Sequence, residues 1–263
     1  LAVHGPALKF AETENGPTIT RLQALAKRLD IWLVPGSLYE KRGADSYYVS
    51  HDIAPSGEII AKHVKIYPFL PYEKDVTPGR DFCVFDVPGV GRMGVAICYD
   101  MWFPEVIRTL TAMGAEAILL PTMTNTIDRD VELSIARSNA ATNQCYFIDI
   151  NVAGEQGNGR SVFYGPGGEL LHACGDGAET VALTLAFDEV RRVRDKGWNG
   201  LGQVLKSFRD APIEYDLYAS PEKRRAAFEM LGPLLMPGRN PSEISNQADA
   251  DPSPASPRFK IIE

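Results

Sequence analysis

Two residues of this chain sit where reactive side chains are useful. Cys98 follows the apolar run 93–97 and precedes Tyr99, Asp100, Trp102 and Phe103, after which a helical pattern begins. The stretch GRMGVAICYDMWFPE, residues 91–105, therefore predicts a buried strand that ends at the sulfur and a helix that starts just beyond it. A thiol at such a turn is held at the rim of a sheet. The next backbone N–H groups can face the same point, which suits a thiolate and an oxyanion. The alternative is a small buried apolar residue, the usual situation of a free cysteine. Lys65, in HVKIYPF, sits among apolar residues at the end of a second strand-like run. A lysine there calls for a buried or developing anion, or else snorkels from an edge strand with its ammonium in water.

A thiol that attacks an amide needs a base, donors for the oxyanion and an acid for the leaving amine. Histidine is the usual base, and the four here are poorly placed: His4 is near the start, His51 and His172 lie in strands beside hairpins, and His63 only precedes Lys65. A carboxylate working with a lysine is the remaining option. Cys83, Cys145 and Cys174 are scattered, without a CxxC pair or a His-rich companion, so they predict neither a zinc site nor a disulfide framework. Reduced thiols in a cytoplasmic protein are the expectation.

Composition narrows the field. A chain of 263 residues that is 44% hydrophobic can bury a large core and fits one large domain. Its net charge of -7 and pI near 5.2, with no basic stripe, argue against nucleic acid or an anionic membrane as the main partner. A small neutral or cationic substrate fits better. No run is long and apolar enough to span a bilayer, and the first residues lack the pattern of a signal peptide.

The elements that must position Cys98 and Lys65 follow from periodicity. Ile19, Leu22, Leu25, Ala26 and Leu29 recur at helical spacing behind Pro17. Residues 31–34 read as a buried strand, continued by 36–39, and 46–53 with 58–66 read as a hairpin across APSG. Runs 82–87 and 93–97 form a second pair across PGVG. Gly89, Gly91 and Gly94 spell GxGxxG, but they lead into a strand rather than opening a helix, which excludes a dinucleotide loop. Val106, Ile107, Leu110 and Met113 mark a helix closed by Gly114, and 117–120 is the next strand, so the loop 122–126 leaves the same sheet edge as Cys98. A helix over 128–143, with Val131, Ile135 and Asn139 inward and Arg137 structural, leads to a strand at 145–151. Strands 161–164 and 169–173 flank GPGG, and 181–187 reads as one more strand. Crossovers alternating with hairpins predict an α/β fold of two sheets with helices outside, a four-layer αββα sandwich. Beyond residue 188 a helix and irregular structure are expected, then a helix over 221–231 stopped by Gly232, with Lys223, Arg224 and Arg225 solvated. The Pro- and Ser-rich stretch 237–257 reads as an arm wrapped on a partner subunit or as disordered chain. Residues 1–219 are expected to form the main domain and 220–263 a C-terminal extension.

Several motifs together match a known family. KIYPF with Lys65, YEKDVTPG with Glu73 and Gly79, GVAICYDMWFPE with Cys98, the helix ending NAATNQ and the hairpin GPGGELL resemble the nitrilase, or carbon-nitrogen hydrolase, superfamily over nearly the whole chain up to Tyr218. The resemblance implies an αββα sandwich that dimerises into eight layers, a Glu-Lys-Cys triad and no metal or organic cofactor. Carried over, Cys98 is the nucleophile, and Lys65 with the Tyr99 backbone N–H stabilises the oxyanion. Glu73 matches the family's second glutamate, which positions substrate and nucleophile; as residue type alone it could be an exposed loop carboxylate. Trp102, Phe103, Thr122 and Met123 fall near the pocket by the same pattern, although Trp102 could equally pack the turn. The DxWFPE form resembles the branch acting on carbamoyl or aliphatic amides.

One departure from the family pattern stands out. Its general base is a glutamate in a PE motif that ends a strand before the helix starting here at Pro17, and no PE motif precedes that helix. Glu12 and Glu14 lie in irregular sequence without a preceding buried strand, so neither takes that role. Because the chain begins at Leu1 rather than Met, the first strand, first helix and base-bearing strand are expected upstream. The alternatives are a catalytically inactive binding or assembly protein of the same fold, and nitrile rather than amide hydrolysis. An upstream strand ending in PE supports the enzyme, and a start codon adjacent to Leu1 supports the inactive protein.

Overall fold

The computed structural model of the chain describes residues 7–154 and 156–235. The stretch 237–257 lies outside the described residues. Two compact units are present, Leu1–Glu214 and Tyr215–Glu263.

After a single turn, α1 (Ala7–Phe10), the first long element is α2 (Pro17–Leu29). Pro17 sets the first-turn dihedral, and Glu12 accepts hydrogen bonds from the Thr18 backbone N (2.9 Å) and Oγ1 (2.6 Å), satisfying an N-terminal donor. Ile19 and Ala26 are the buried residues of its inner face. The helix packs on a three-stranded antiparallel sheet, β1 (Ser37–Arg42), β2 (Asp45–Ile53) and β3 (Ile59–Val64). Tyr48, Ser50 and Asp52 share one face of β2 by strand alternation, while Val49, His51 and Ile53 share the other. The stretch 31–34 is not the buried strand its composition predicts. Only Leu33 bridges to Ile53, and Ile31 and Trp32 remain exposed, Trp32 stacked on Phe85 at 6.4 Å between centroids.

The second sheet runs in the order β4 (Cys83–Val87), β5 (Gly91–Val95), β6 (Ala117–Thr122), β7 (Tyr146–Asn151), β8 (Val162–Tyr164) and β9 (Leu170–Ala173). The β4–β5 hairpin contains the GxGxxG stretch, and Gly94 is there for close approach: a Cβ would lie 2.9 Å from Ile118 Cδ1. β5, β6 and β7 are parallel, joined by crossover helices α3 (Pro104–Ala112) and α4 (Asp128–Asn143). Val106, Ile107 and Leu110 of α3 and Ala136 and Ala140 of α4 pack against Ile118, Leu120 and Phe147 to form the main core. Ala117, Tyr146, Ile148 and Phe163 pack with Phe187 and Val190 of α5 (Phe187–Lys196) in a second cluster. Helices outside two sheets give the predicted αββα arrangement.

Two further expectations differ from what is observed. Residues 181–186 are irregular: Val181 and Leu185 reach the second cluster, Leu183 is exposed, and Phe187 opens α5. Asp188 and Glu189 behind Phe187 favour a helix N-terminus, which overrides the alternating pattern. On α4 the buried face runs through Arg129, Glu132, Ala136, Asn139 and Ala140, and Val131 is exposed. The unit ends with α6 (Val204–Asp210); the second unit holds α7 (Pro221–Ala227), capped by Ser220, and a last turn that stops at Gly232 in a positive-φ conformation. Among the described residues no helix is long and apolar enough to cross a membrane.

Candidate active site

β5 delivers Cys98 to a short 3-10 turn, Cys98–Trp102, which precedes α3. Cys98 itself adopts φ 49°, the left-handed region, at a cost of roughly 1–3 kcal/mol that the surroundings must hold. Asp100, fully buried, does the holding. Its Oδ2 accepts from the Ile97 N–H (3.0 Å) and its Oδ1 from the Ile66 (3.1 Å) and Tyr67 (2.8 Å) N–H groups, tying the turn to the segment just after Lys65.

Lys65 lies one residue beyond β3 with its side chain 2% exposed, so it does not snorkel. Its Nζ donates to Glu73 Oε2 at 2.7 Å, and the same oxygen accepts from the Phe69 N–H at 2.6 Å. Gly79 closes this segment by donating its N–H to the Lys65 carbonyl at 2.7 Å; a Cβ there would stand 2.3 Å from the Val64 carbonyl oxygen. The Lys65 Nζ also lies 5.1 Å from the centroid of the Tyr48 ring, and the Tyr48 hydroxyl meets that of Tyr39.

Cys98, Lys65 and Glu73 line one cavity of about 230 Å³, together with Tyr48, Thr122 and Met123. Much of the remaining wall is aliphatic, from Leu119, Ile148 and Ile150. The loop after β6 is fixed by Asn151, whose Oδ1 accepts from the Thr124 N–H (2.8 Å) and whose Nδ2 donates to the Thr124 (3.0 Å) and Gly159 (2.8 Å) carbonyls. Burial pushes the Cys98 thiol above its ordinary pKa, while the Lys65 charge and a Met123 main-chain hydrogen bond pull it back in part. Burial presses Lys65 toward neutrality, but the charges of Cys98, Glu73 and Asp100 together leave its pKa raised. The pair therefore supplies a fixed cation beside the sulfur, the arrangement an oxyanion requires.

The side chains of Tyr99, Trp102 and Phe103 do not line the cavity among the described residues. Phe103 stacks on Tyr67 at 3.5 Å, Tyr99 meets Phe69 and Phe103 edge-on, and Trp102 packs on the main core with its Nε1 donating to Glu132 Oε1 at 3.4 Å. These aromatics brace the turn. Glu12 is spent on capping α2, Glu14 pairs with Lys62, and neither lines the cavity.

Sequence reasoning missed the buried polar support: Asp100, Tyr48 and the group Arg129, Glu132 and Asp149. Arg129 donates to Asp149 at 2.7 Å and to Glu132 at 3.2 Å, and Glu132 accepts from Thr124 at 2.9 Å, reaching the cavity loop. Burial pushes Asp149 up to about 6 against the pull of Arg129. The available signal was the i, i+3 pairing of Arg129 with Glu132 on α4. Elsewhere, His172, Cys174 and Glu179 bring ligand atoms within 4.8 Å of one another, partly exposed and off the cavity lining.

Residues 3–195 match the sequence profile of the family described as carbon-nitrogen hydrolase. The chain belongs to this family. Within it, the chain is similar to nitrilase homolog 2 of Dictyostelium discoideum, 34% identical over 157 residues, covering 55% of this chain and 48% of the relative. It is similar to the N-carbamoylputrescine amidase of Solanum lycopersicum, 31% identical over 208 residues, covering 69% of this chain and 68% of the relative. Among solved structures it resembles a glutamate-to-glutamine variant of the amidase from Nesterenkonia sp. AN1, with a TM-score of 0.57, 28% identity and coverage of 60% and 62% of the two chains. In that amidase, the acetamide moiety of fluoroacetamide is covalently added at the active-site cysteine. The chain thus spans about half the length of the first relative and near two thirds of the other two.

Proposed function

We propose that this chain carries the nucleophile and oxyanion site of an enzyme hydrolysing a small carboxylic amide or N-carbamoyl amine. The products are ammonia and the acid, a carbamic acid in the second case. The observation that supports it is one cavity holding Cys98 beside the Lys65–Glu73 ion pair. Amidases among the relatives support amide over nitrile chemistry.

Cys98 sulfur attacks the amide carbon, and the carbonyl π pair moves to oxygen as the S–C bond forms. Lys65, held by Glu73 and set over the Tyr48 ring, faces the developing oxyanion with the Tyr99 N–H. Each such donor is worth roughly 3–4 kcal/mol of barrier. Collapse expels ammonia and leaves a thioester. Water then forms the new C–O bond as the S–C bond breaks, returning the thiol. A carboxylate must carry the proton from thiol to leaving amine and activate the water. The family resemblance gives that role to a PE-motif glutamate, which we assign to no residue of 1–263. Glu73 already accepts from Lys65 and Phe69, which fits positioning rather than proton transfer.

Aliphatic walls with Lys65 and Glu73 at the reacting end suit a short acyl or carbamoyl group. Ammonia release by the full-length gene product from amides, N-carbamoyl amines and nitriles, with Cys98→Ala as control, tests the reading. Release from amides or carbamoyl amines, abolished in the variant, is expected. Ammonia from nitriles alone, or undiminished in Cys98→Ala, overturns it.

A further inference from the structure

His63 is fully buried, yet it has no part in the chemistry described so far. It stands two residues before Lys65, as Asp100 stands two residues after Cys98. The two side chains meet: His63 Nε2 lies 3.0 Å from Asp100 Oδ2. Asp100 Oδ2 also accepts from Ile97, the residue before the nucleophile, while Oδ1 accepts from Ile66 and Tyr67, the residues after the lysine. One carboxylate thus has four bonds, three from the Lys65 segment (His63, Ile66 and Tyr67) and one from the Cys98 turn (Ile97). A carboxylate in this role only accepts, so Nε2 is the imidazole nitrogen that carries the hydrogen. Nδ1 is buried and has no hydrogen-bond partner among the described residues, so the ring's one polar bond is the one to Asp100.

We infer that His63 is a positioning residue, which locks the Asp100 carboxylate and through it sets the separation of the Cys98 sulfur and the Lys65 ammonium. The inference rests on Cys98 being the nucleophile and Lys65 its charge partner. Asp100 without its His63 donor keeps three backbone bonds, but its Oδ2 is left with the Ile97 N–H alone. The Ile97 and Ile66–Tyr67 anchors then shift relative to one another. Misplacement by a fraction of an ångström matters in a site that depends on a fixed cation beside sulfur, where about 1 Å can cost as much as 100-fold. His63 touches neither substrate nor sulfur in this account; it acts only through Asp100.

The test uses iodoacetamide alkylation of Cys98, located by peptide mass mapping, which needs no turnover. His63→Gln places an amide donor where Nε2 stood, and alkylation at near the parent rate is expected. His63→Met fills similar volume without a donor. Alkylation about tenfold slower is expected, with circular dichroism unchanged. In a Lys65→Met background, His63→Met should add little, because the geometry it sets no longer has a cation to position. His63→Asn keeps a polar group but holds its amide short of Asp100, and it replaces Met in the same comparison when Met does not fold. A folded His63→Met or His63→Asn chain that alkylates at the parent rate overturns the inference, as does a full tenfold effect persisting without Lys65. A parent chain in which Cys98 reacts no faster than Cys83, Cys145 or Cys174 refutes instead the nucleophile assignment on which it rests.

Discussion

Asp52 offers a quantitative test of how the two sheets meet. It is fully buried on β2, accepts from Ser50 Oγ at 3.2 Å and lies 4.0 Å from Cys83 Sγ of the second sheet, with no cation paired to it among the described residues. Burial pushes its pKa from 3.8 up to about 7, opposed only by the Ser50 hydrogen bond. The folded chain therefore holds a proton here that the unfolded chain has lost between about pH 4 and pH 7, and stability from this group falls as pH rises through that window. The gap is roughly three pH units at about 1.4 kcal/mol each, or about 4 kcal/mol in all. Asp52→Asn reproduces the protonated form, keeps an acceptor for Ser50 and has nothing to ionise. In urea unfolding followed by tryptophan fluorescence, the variant should be more stable than the parent by about 2 kcal/mol near pH 5 and about 4 kcal/mol near pH 8. An advantage that does not change between the two conditions, or a variant less stable near pH 8, refutes the reasoning.

Other outcomes follow from the same buried polar layer. Arg129→Met leaves Asp149 and Glu132 without their shared cation, and urea unfolding should show a loss of roughly 3–5 kcal/mol at neutral pH; a loss under about 1 kcal/mol contradicts the assigned pairing. Lys65 pulls the Cys98 pKa down against burial, so the alkylation midpoint of Cys98 in Lys65→Met should move to higher pH, and an unchanged or lower midpoint contradicts that contact. The family resemblance implies a homodimer or higher homo-oligomer, and sedimentation of the full-length gene product as a monomer contradicts it.

Much of this architecture was legible because apolar periodicity and turn residues agree. Pro17 with Ile19 and Ala26, the parallel pair around α3, and the GPGG hairpin each carry a local signal that tertiary packing then uses. Cys98 and Lys65 were legible for the opposite reason: each is a reactive or charged residue in an apolar run. What pattern cannot report is whether a neighbouring edge exists. Residues 31–34 and 181–187 both look like strands, but Leu33 has a single bridge partner and Leu183 is exposed, with the second sheet ending at β9. Nor can it report polar residues turned inward. Arg129, Glu132, Asp100 and Asp52 read as surface, yet all four are buried: Arg129, Glu132 and Asp100 are bonded to other segments, and burial raises the Asp52 pKa to about 7. The family pattern sets Trp102 and Phe103 near the pocket, with packing of the turn as the equal alternative for Trp102. In the fold Tyr99 and Phe103 pack on Phe69 and Tyr67 and Trp102 on the main core, and the three are not among the residues lining the cavity.

Cys98 is proposed as the nucleophile, with the Lys65 charge drawing its thiol toward the thiolate against the push of burial. Incubating the chain with fluoroacetamide and mapping its peptides by mass spectrometry tests it most directly. Sulfur displacing fluoride should leave one acetamide moiety on Cys98, with Cys83, Cys145 and Cys174 unmodified and with labelling slowed in Lys65→Met. Labelling spread over all four cysteines, or Cys98 left unmodified, contradicts the account.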